Sequence, residues 1–528
     1  MADAVTVRRV TGDVLACGLV FAALALPDTL VGARPAAFLV LPAEAVAGAA
    51  LMLVLPPRAR RVTAAVAGAL LGVLTLLKIA DIGFSQAFGR PFHPVLDWGF
   101  AGPALSLLGG AARIGTVVGA AFGALTLVVL TTLAATRVAR AAGEHRRITA
   151  RVVAVFAVAW TAAALAGLPL ASHTTSALAY RDVRGATADL ADRREFAAAM
   201  ATDAFRATAP AGLLTALRGK DVLLTFVESY GRVALADPGV DALLDSATNR
   251  LQAAGFGARS AFLTSSTTGG GSWLAHSTLE SGLWVDNEQR YRTFVTSDRL
   301  TLSGAFARAG WRTVSVQPEN AAAWPEGAVY RFDRLYDGRD LGYSGPGFAY
   351  AAMPDQFTLS AFQRAELAPG HPPVMAEIDL VSSHWPWTAV PRLLGWDDLG
   401  DGTVFASATD RPAGGPAGYD EAVRYSLSAL ISYVETYGGD DLVLVFLGDH
   451  QPDASVTGPG ADRDVPVTLV ARDPAVLARI SGWGWTPGLR PAAAAPVWPM
   501  SAFRDRFLTA FGPQLSAVPA RAPAAGPG

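Results

Sequence analysis

Five long apolar stretches fill the first third of the chain, at about residues 11–32, 36–55, 62–83, 113–135 and 150–172. Each is close to the roughly 20 residues with which an α-helix crosses a hydrocarbon core of about 30 Å. Inside lipid no water satisfies the backbone amides, so such stretches are expected as helices. The loops between them differ in charge. Arg8 and Arg9 precede the first stretch, Arg58, Arg60 and Arg61 follow the second, and Arg137, Arg140, Arg146, Arg147 and Arg151 stand between the fourth and fifth. The alternate loops hold only Arg34, Arg90 and the boundary residue Arg113. The positive-inside rule then puts the N-terminus in the cytoplasm and, with five crossings, everything after about residue 172 outside. Four further apolar stretches follow the first, so it reads as a span rather than a cleaved signal peptide.

Composition agrees with this division. The 528 residues are 51% hydrophobic and only 17% charged, with a mean hydropathy of +0.32. A wholly soluble chain, a disordered one and a basic nucleic-acid binder are excluded. The net charge of −2 is the sum of +7 over residues 1–172 and −9 over the remainder. Cys17 is the single cysteine, so no intrachain disulfide forms, and it is expected as a small apolar residue of a membrane helix. Asp28, Glu44, Lys78 and Asp81 fall within or near the ends of apolar stretches, where charge is costly. Asp28 and Asp81 lie near outer ends and read as structural or interfacial, whereas Glu44 is a candidate for function. The segment Phe84–Ala112, with Phe88, Pro91, Phe92, Pro94 and Trp98, is expected to lie along the outer leaflet.

Residues 173–218 read as a helical juxtamembrane linker and 219–516 as one α/β domain. A Pro/Ala/Gly-rich tail, 517–528, is expected to be disordered. Strands are expected at Asp221–Val227, Ala258–Leu263, Arg312–Val316, Val374–Leu380, Leu442–Leu447 and Val465–Val470, with amphipathic helical patterns between them. This alternation predicts a mostly parallel sheet covered by helices. In such folds chemistry collects beyond the carboxyl ends of the strands.

Four strand ends carry polar residues. Leu223–Val227 runs into Glu228-Ser229-Tyr230-Gly231, and the second strand into a Ser/Thr/Gly run ending Gly269-Gly270-Gly271-Ser272-Trp273. Ala376–Val381 runs into Ser382-Ser383-His384-Trp385-Pro386-Trp387, and Leu442–Leu447 into Gly448-Asp449-His450. Glu, Asp and His together offer the oxygen and nitrogen donors of a divalent ion such as Mn²⁺, Zn²⁺ or Mg²⁺. Ser272 opens a helical pattern, where the helix dipole and first-turn amides favour an anionic phosphoryl group. A serine hydroxyl there needs a metal or base to become a useful nucleophile.

In order and spacing these motifs, with Ser277-Thr278-Leu279-Glu280, resemble the alkaline phosphatase/sulfatase superfamily. Within it they are most similar to membrane-bound lipoteichoic acid synthases and related phosphoglycerol transferases, which carry five membrane helices ahead of an extracellular catalytic domain. The resemblance implies an alkaline phosphatase-like α/β domain on the outer face of a bacterial cell membrane. It also implies one divalent metal ion, Mn²⁺ first with Zn²⁺ or Mg²⁺ as alternatives, held by Glu228, Asp449, His450 and Ser272. Counting back from Thr278-Leu279-Glu280 places Ser272, rather than Thr267 or Thr268, where the family has its threonine nucleophile.

His384 corresponds to a substrate-side histidine and Trp324 to a tryptophan of the headgroup pocket. The arginine that the family has two positions after that tryptophan is Glu326 here, so phosphate contact falls to Arg331 or Arg334. His276, one turn after Ser272, is expected to line the pocket, His371 has a weaker claim, and Asp355 reads as a helix cap. Ser272 is followed by Trp273-Leu274-Ala275-His276, without the Pro and Arg that formylglycine sulfatases require. The expected activity is transfer of a phosphoglycerol-like headgroup from a membrane phospholipid to a glycan or polymer hydroxyl through a phosphoserine. A phosphate- or sulfate-ester hydrolase and a non-catalytic envelope scaffold are the alternatives.

Overall fold

The computed structural model describes residues 2–27, 40–88, 91–94, 97, 110–168, 171–321, 323–348, 350–387, 389–407 and 414–513. Asp28, Arg34, Arg90, Trp98 and the tail 517–528 lie outside the described residues. The chain divides into two compact units, Met1–Glu195 and Phe196–Gly528.

The first unit is helical, with α1 (Ala2–Ala25), α2 (Ala43–Val54), α3 (Pro57–Phe88), α4 (Gly110–Glu144), α5 (Arg146–Leu165) and most of α6 (Thr174–Ala201). Among the described residues, three stretches are long and apolar enough to cross a membrane: Pro57–Ser85, Gly115–Glu144 and Arg146–Leu165. The first two expected stretches, 11–32 and 36–55, lie partly outside the described residues. Prolines at 42, 56 and 57 bracket α2 and limit it to 12 residues. At 1.5 Å per residue that is about 18 Å, short of the core thickness. α1 carries Arg8, Arg9 and Asp13 within its length, and Asp13 pairs with Arg137 of α4 at 2.7 Å.

The charges inside this unit have structural work. Glu44 Oε1 accepts both the backbone N–H and the hydroxyl of Ser176, each at 2.8 Å, and so satisfies the first turn of α6. Asp81 accepts from Arg181 at 2.7 Å and from the Phe92 amide at 2.9 Å, as an interfacial structural residue would. Lys78 is buried and donates to the Leu24 carbonyl and to Thr175. α3 and α4 meet along Gly68-x-x-x-Gly72. A Cβ on Gly68 would come within 2.7 Å of the Thr132 Cα, so only the bare backbone permits the approach.

The second unit is built on a nine-stranded sheet. Its strands are β1 (Asp221–Val227), β2 (Gly257–Thr264), β3 (Arg312–Gln317), β4 (Arg334–Asp337), β5 (Val374–Leu380), β6 (Leu442–Gly448), β7 (Asp464–Ala471), β8 (Thr486–Pro487) and β9 (Val497–Pro499). Their order is β8-β2-β7-β6-β1-β5-β3-β4, with β9 on β2. The sheet is mixed, with five parallel and three antiparallel strand pairings among the described residues. β6, β1, β5, β3 and β4 run parallel, while β7 is antiparallel to both β6 and β2. Between β6 and β7 lies only a single-turn helix, Ala454–Thr457. Without a crossover helix the chain reverses into an antiparallel neighbour.

Alternation along the strands supplies two apolar faces. Leu223 and Val227 of β1 join the core beneath α7 (Pro238–Ala253), whereas Val222, Leu224 and Phe226 join the core beneath α8 (Ser272–Ser281), α9 (Leu302–Ala309) and Phe503–Phe511. The C-terminus of α8 is locked by buried charge. Arg504 and Arg299 both donate to the Ser281 carbonyl at 3.0 Å, and both pair with Asp203, at 2.6 and 3.4 Å.

Burial alone would raise Asp203, but Arg504, the Phe205 amide and Arg299 together outweigh it and hold the carboxyl below its ordinary range. A carboxyl with a depressed folded pKa contributes stability that is complete above its unfolded value, near 3.9, and is lost as pH falls through the folded value. The wild type is therefore expected to lose stability progressively below about pH 4. The already weaker Asp203→Asn variant should show a shallower slope there, and equal slopes in acid titrations of unfolding would refute the linkage.

Candidate active site

The parallel strands β1, β5 and β6 end side by side, and the sequence places a donor directly after each. Glu228 follows β1, Asp449 and His450 follow β6, and Ser382–His384 follow β5. Ser272 arrives from β2, which β7 separates from β6, through Gly269, Gly270 and Gly271, whose φ angles are 70, 149 and 78°. Side chains rarely adopt such angles, so the run must be glycine for the chain to turn into α8.

Four donors converge. Ser272 Oγ lies 3.1 Å from Glu228 Oε2 and 3.3 Å from His450 Nε2. His450 Nε2 lies 3.2 Å from Asp449 Oδ2 and 3.5 Å from Glu228 Oε1. Asp449 and His450 are 1% exposed and Glu228 8%. The surroundings fix each group. Asp449 Oδ1 accepts the amides of Ser229 and His450 at 2.7 and 2.8 Å, which leaves Oδ2 buried without a partner. The His450 Nδ1–H donates to the Gln451 carbonyl at 2.9 Å, so the Nε2 lone pair faces the cluster. Ser229 adopts φ 55°, held there by its amide bond to Asp449 and by Tyr419 Oη donating to its carbonyl at 2.8 Å.

This donor set fits a divalent cation. Ligands about 2.1 Å from a tetrahedral ion stand about 3.4 Å apart, close to the separations here. The orphaned Asp449 Oδ2 is the kind of buried acceptor a cation would satisfy. Negative charge dominates: burial and then Glu228 push Asp449 up to about 6. Burial opposes the charged form of His450, but Asp449 and Glu228 prevail and raise it. Of the other hydroxyl candidates, Thr267 donates to the Gly270 carbonyl at 2.5 Å, and the Thr268 backbone pairs with that of Gln451.

The remaining expected residues are distributed around this cluster. His384 stacks on Tyr350 with 3.5 Å between ring centroids and bonds the Trp385 carbonyl through Nδ1 at 2.5 Å. Burial pushes it down to about 4. Ser383, beside it, donates to the Glu228 carbonyl at 2.6 Å. Trp324 donates to Tyr291 at 3.3 Å and packs on Tyr330, whose hydroxyl bonds Ser277 of α8 at 2.8 Å.

Arg331 lines a groove of about 370 Å³ with Asp298, Leu300, Gly304, Ala307, Arg308 and Asp333, and no hydrogen bond or ion pair joins it to the Ser272 cluster. Arg334 pairs with Asp340 at 3.4 Å. His371 faces Asp221, the first residue of β1, at the opposite end of the strand from Glu228. Asp355 is the first residue of its helix with Pro354 at the N-cap position, and its carboxylate accepts the Ser382 amide at 2.9 Å rather than capping that helix.

His276 is 8% exposed, its imidazole stacked on Phe226 at 3.8 Å and facing Glu377 and Asp379. Those two carboxylates, and the buried Glu319, escaped the sequence reading. Burial pushes Glu319 up to about 7, and the charges of Glu228 and Asp449 reach it. A signal was present for the first two. Val374-Met-Ala-Glu-Ile-Asp-Leu380 carries two acids at alternate positions of a fully buried strand, where apolar residues are the rule.

No protein-family model and no curated protein matches the sequence. Solved structures do. The lipoteichoic acid synthase LtaP of Listeria monocytogenes is 16% identical, with 48% of this chain and 66% of that one covered and a TM-score of 0.33. A protein of the alkaline phosphatase superfamily from Vibrio parahaemolyticus is 14% identical, with 48% and 61% covered and a TM-score of 0.35. The integral membrane lipooligosaccharide phosphoethanolamine transferase A of Neisseria meningitidis is 12% identical, with 88% and 86% covered and a TM-score of 0.43. The chain thus spans just under two thirds of the first two. Likeness at these values carries no chemistry, which rests on the side-chain geometry.

Proposed function

We propose that the chain is a membrane-anchored member of the alkaline phosphatase/sulfatase superfamily that transfers a phospho-headgroup through Ser272. The observation that carries this reading is the Ser272 hydroxyl set against Glu228, Asp449 and His450 at the start of a helix. Glu228, Asp449, His450 and Ser272 would hold a divalent cation. When bound it would lower the pKa of the serine hydroxyl and stabilise charge on the transferring phosphoryl group.

The chain's own groups supply the remainder. Glu228 Oε2 accepts the Ser272 hydroxyl proton and aims Oγ. The first turn of α8 presents backbone amides to an anionic group. Attack by Oγ forms an O–P bond to serine and breaks the P–O bond to the lipid, whose oxygen leaves as the alcohol with the proton that Glu228 took from Ser272. His384 is neutral near pH 7, with Nδ1–H given to Trp385, so its free Nε2 suits accepting a proton from the incoming hydroxyl in the second step. A phosphoglycerol-like group on a membrane phospholipid as donor, and a glycan or polymer hydroxyl as acceptor, complete the reaction. Extracytoplasmic placement of the second unit belongs to the same proposal.

Purified full-length protein incubated with headgroup-labelled phospholipid should give diacylglycerol and a labelled Ser272 peptide by mass spectrometry. Product that needs an added acceptor supports transfer, whereas headgroup release into water alone supports the hydrolase. Absence of both refutes the proposal. Chelation should lower turnover at least about 100-fold, with recovery on adding Mn²⁺ or Zn²⁺, and chelator-resistant turnover would remove the cation from the site.

A further inference from the structure

We propose that a second divalent cation binds the chain at His276, Glu377 and Asp379, behind the nucleophile on the same face of the sheet. Met375, Glu377 and Asp379 alternate with Ala376 and Ile378 along β5, so both acids point to the face covered by α8. α8 answers with His276. Its Nδ1 lies 3.6 Å from Glu377 Oε1 and 3.8 Å from Asp379 Oδ1, and one donor atom from each residue falls within 4.8 Å of the others. These separations are slightly wider than those around Ser272 and close to the about 3.4 Å of a tetrahedral set.

All three residues are more than nine-tenths buried, at 8, 1 and 6% exposure. The independent observation is the state of one oxygen: Asp379 Oδ1, which faces the imidazole, is buried without a hydrogen-bond partner. An orphaned carboxylate oxygen beside an imidazole is expensive unless something satisfies it. Protonation is the competing answer. Glu280, which accepts the Ser303 amide and hydroxyl at 2.9 and 2.8 Å, also bonds Glu377, so one proton can be shared there. That proton leaves Asp379 Oδ1 without a partner. A cation satisfies both carboxylates and the imidazole together. With one His nitrogen and two carboxylates the site suits Mn²⁺ or Zn²⁺. It would tie α8 to β5 one turn behind Ser272, and it does not depend on the phosphoryl reading.

Metal counting on detergent-solubilised full-length protein decides the matter. After stripping with chelator and titration with MnCl₂, and in a parallel arm ZnCl₂, elemental analysis should find two equivalents per chain. Asp449→Asn should lower the count to one by emptying the Ser272 cluster alone. Glu377→Gln with Asp379→Asn, which copies the neutral acids in shape, should also leave one and should abolish the rise in thermal midpoint on adding the second equivalent. One equivalent or fewer in the wild type with both metals overturns the proposal, as does an Asp449→Asn chain that binds none. Should the double variant fail to fold, the wild-type and Asp449→Asn counts still decide it.

Discussion

Replacing Ser272 with alanine is expected to lower headgroup transfer by at least about 10³-fold while the protein folds as before. Loss of a nucleophile removes the covalent route altogether, and what survives comes from binding and electrostatics. The side chain is small, half-buried and bonded only to Glu228 and His450, so its removal leaves the packing of α8 on the sheet intact. Unchanged thermal unfolding with lost turnover, and no labelled peptide at position 272, is the expected pair of results. Turnover within about tenfold of wild type would transfer the nucleophile's role to another group.

The second large effect is on stability. Arg504 is fully buried, pairs with Asp203 at 2.6 Å and holds the last carbonyl of α8 at 3.0 Å. Arg504→Met keeps much of the volume but strands Asp203 with Arg299 as its remaining buried partner. Removing one member of a buried ion pair costs about 3–5 kcal/mol, because the other charge is left uncompensated. Denaturant titration of the second unit should show a midpoint shift of that size. The surface pair Arg206–Asp298 serves as control, since Arg206→Met should leave the midpoint nearly where it was. Equal effects from the two substitutions would mean that the Asp203 cluster contributes no more than a surface pair.

Both outcomes bear on one arrangement, a helix that starts with a reactive hydroxyl and ends in buried arginines. The start was legible in the sequence. Three glycines before Ser272, a carboxylate after one buried strand and Asp-His after another are local signals, each fixed to a strand end by hydrophobic patterning. The six expected strands are present, with ends displaced by at most one residue at each terminus. The short strands β4, β8 and β9, of two to four residues, carry too little alternation to be read. The arginine lock was not legible either. Asp203, Arg299 and Arg504 are separated by 96 residues or more and acquire meaning only as neighbours.

By itself the sequence determined the apolar first third, the strand–helix alternation of the remainder, and the donor residues at the strand ends, because these depend on periodicity within one segment. Tertiary structure decided what depends on distances between segments. It limited α2 to 12 residues, reversed β7, and set Glu44 against Ser176. It turned His276 inward onto Glu377 and Asp379 and left Arg331 in a groove with Asp298 and Asp333. Hydrophobic pattern fixes which face of an element is buried, but which charged groups meet there is set by the packing of the elements.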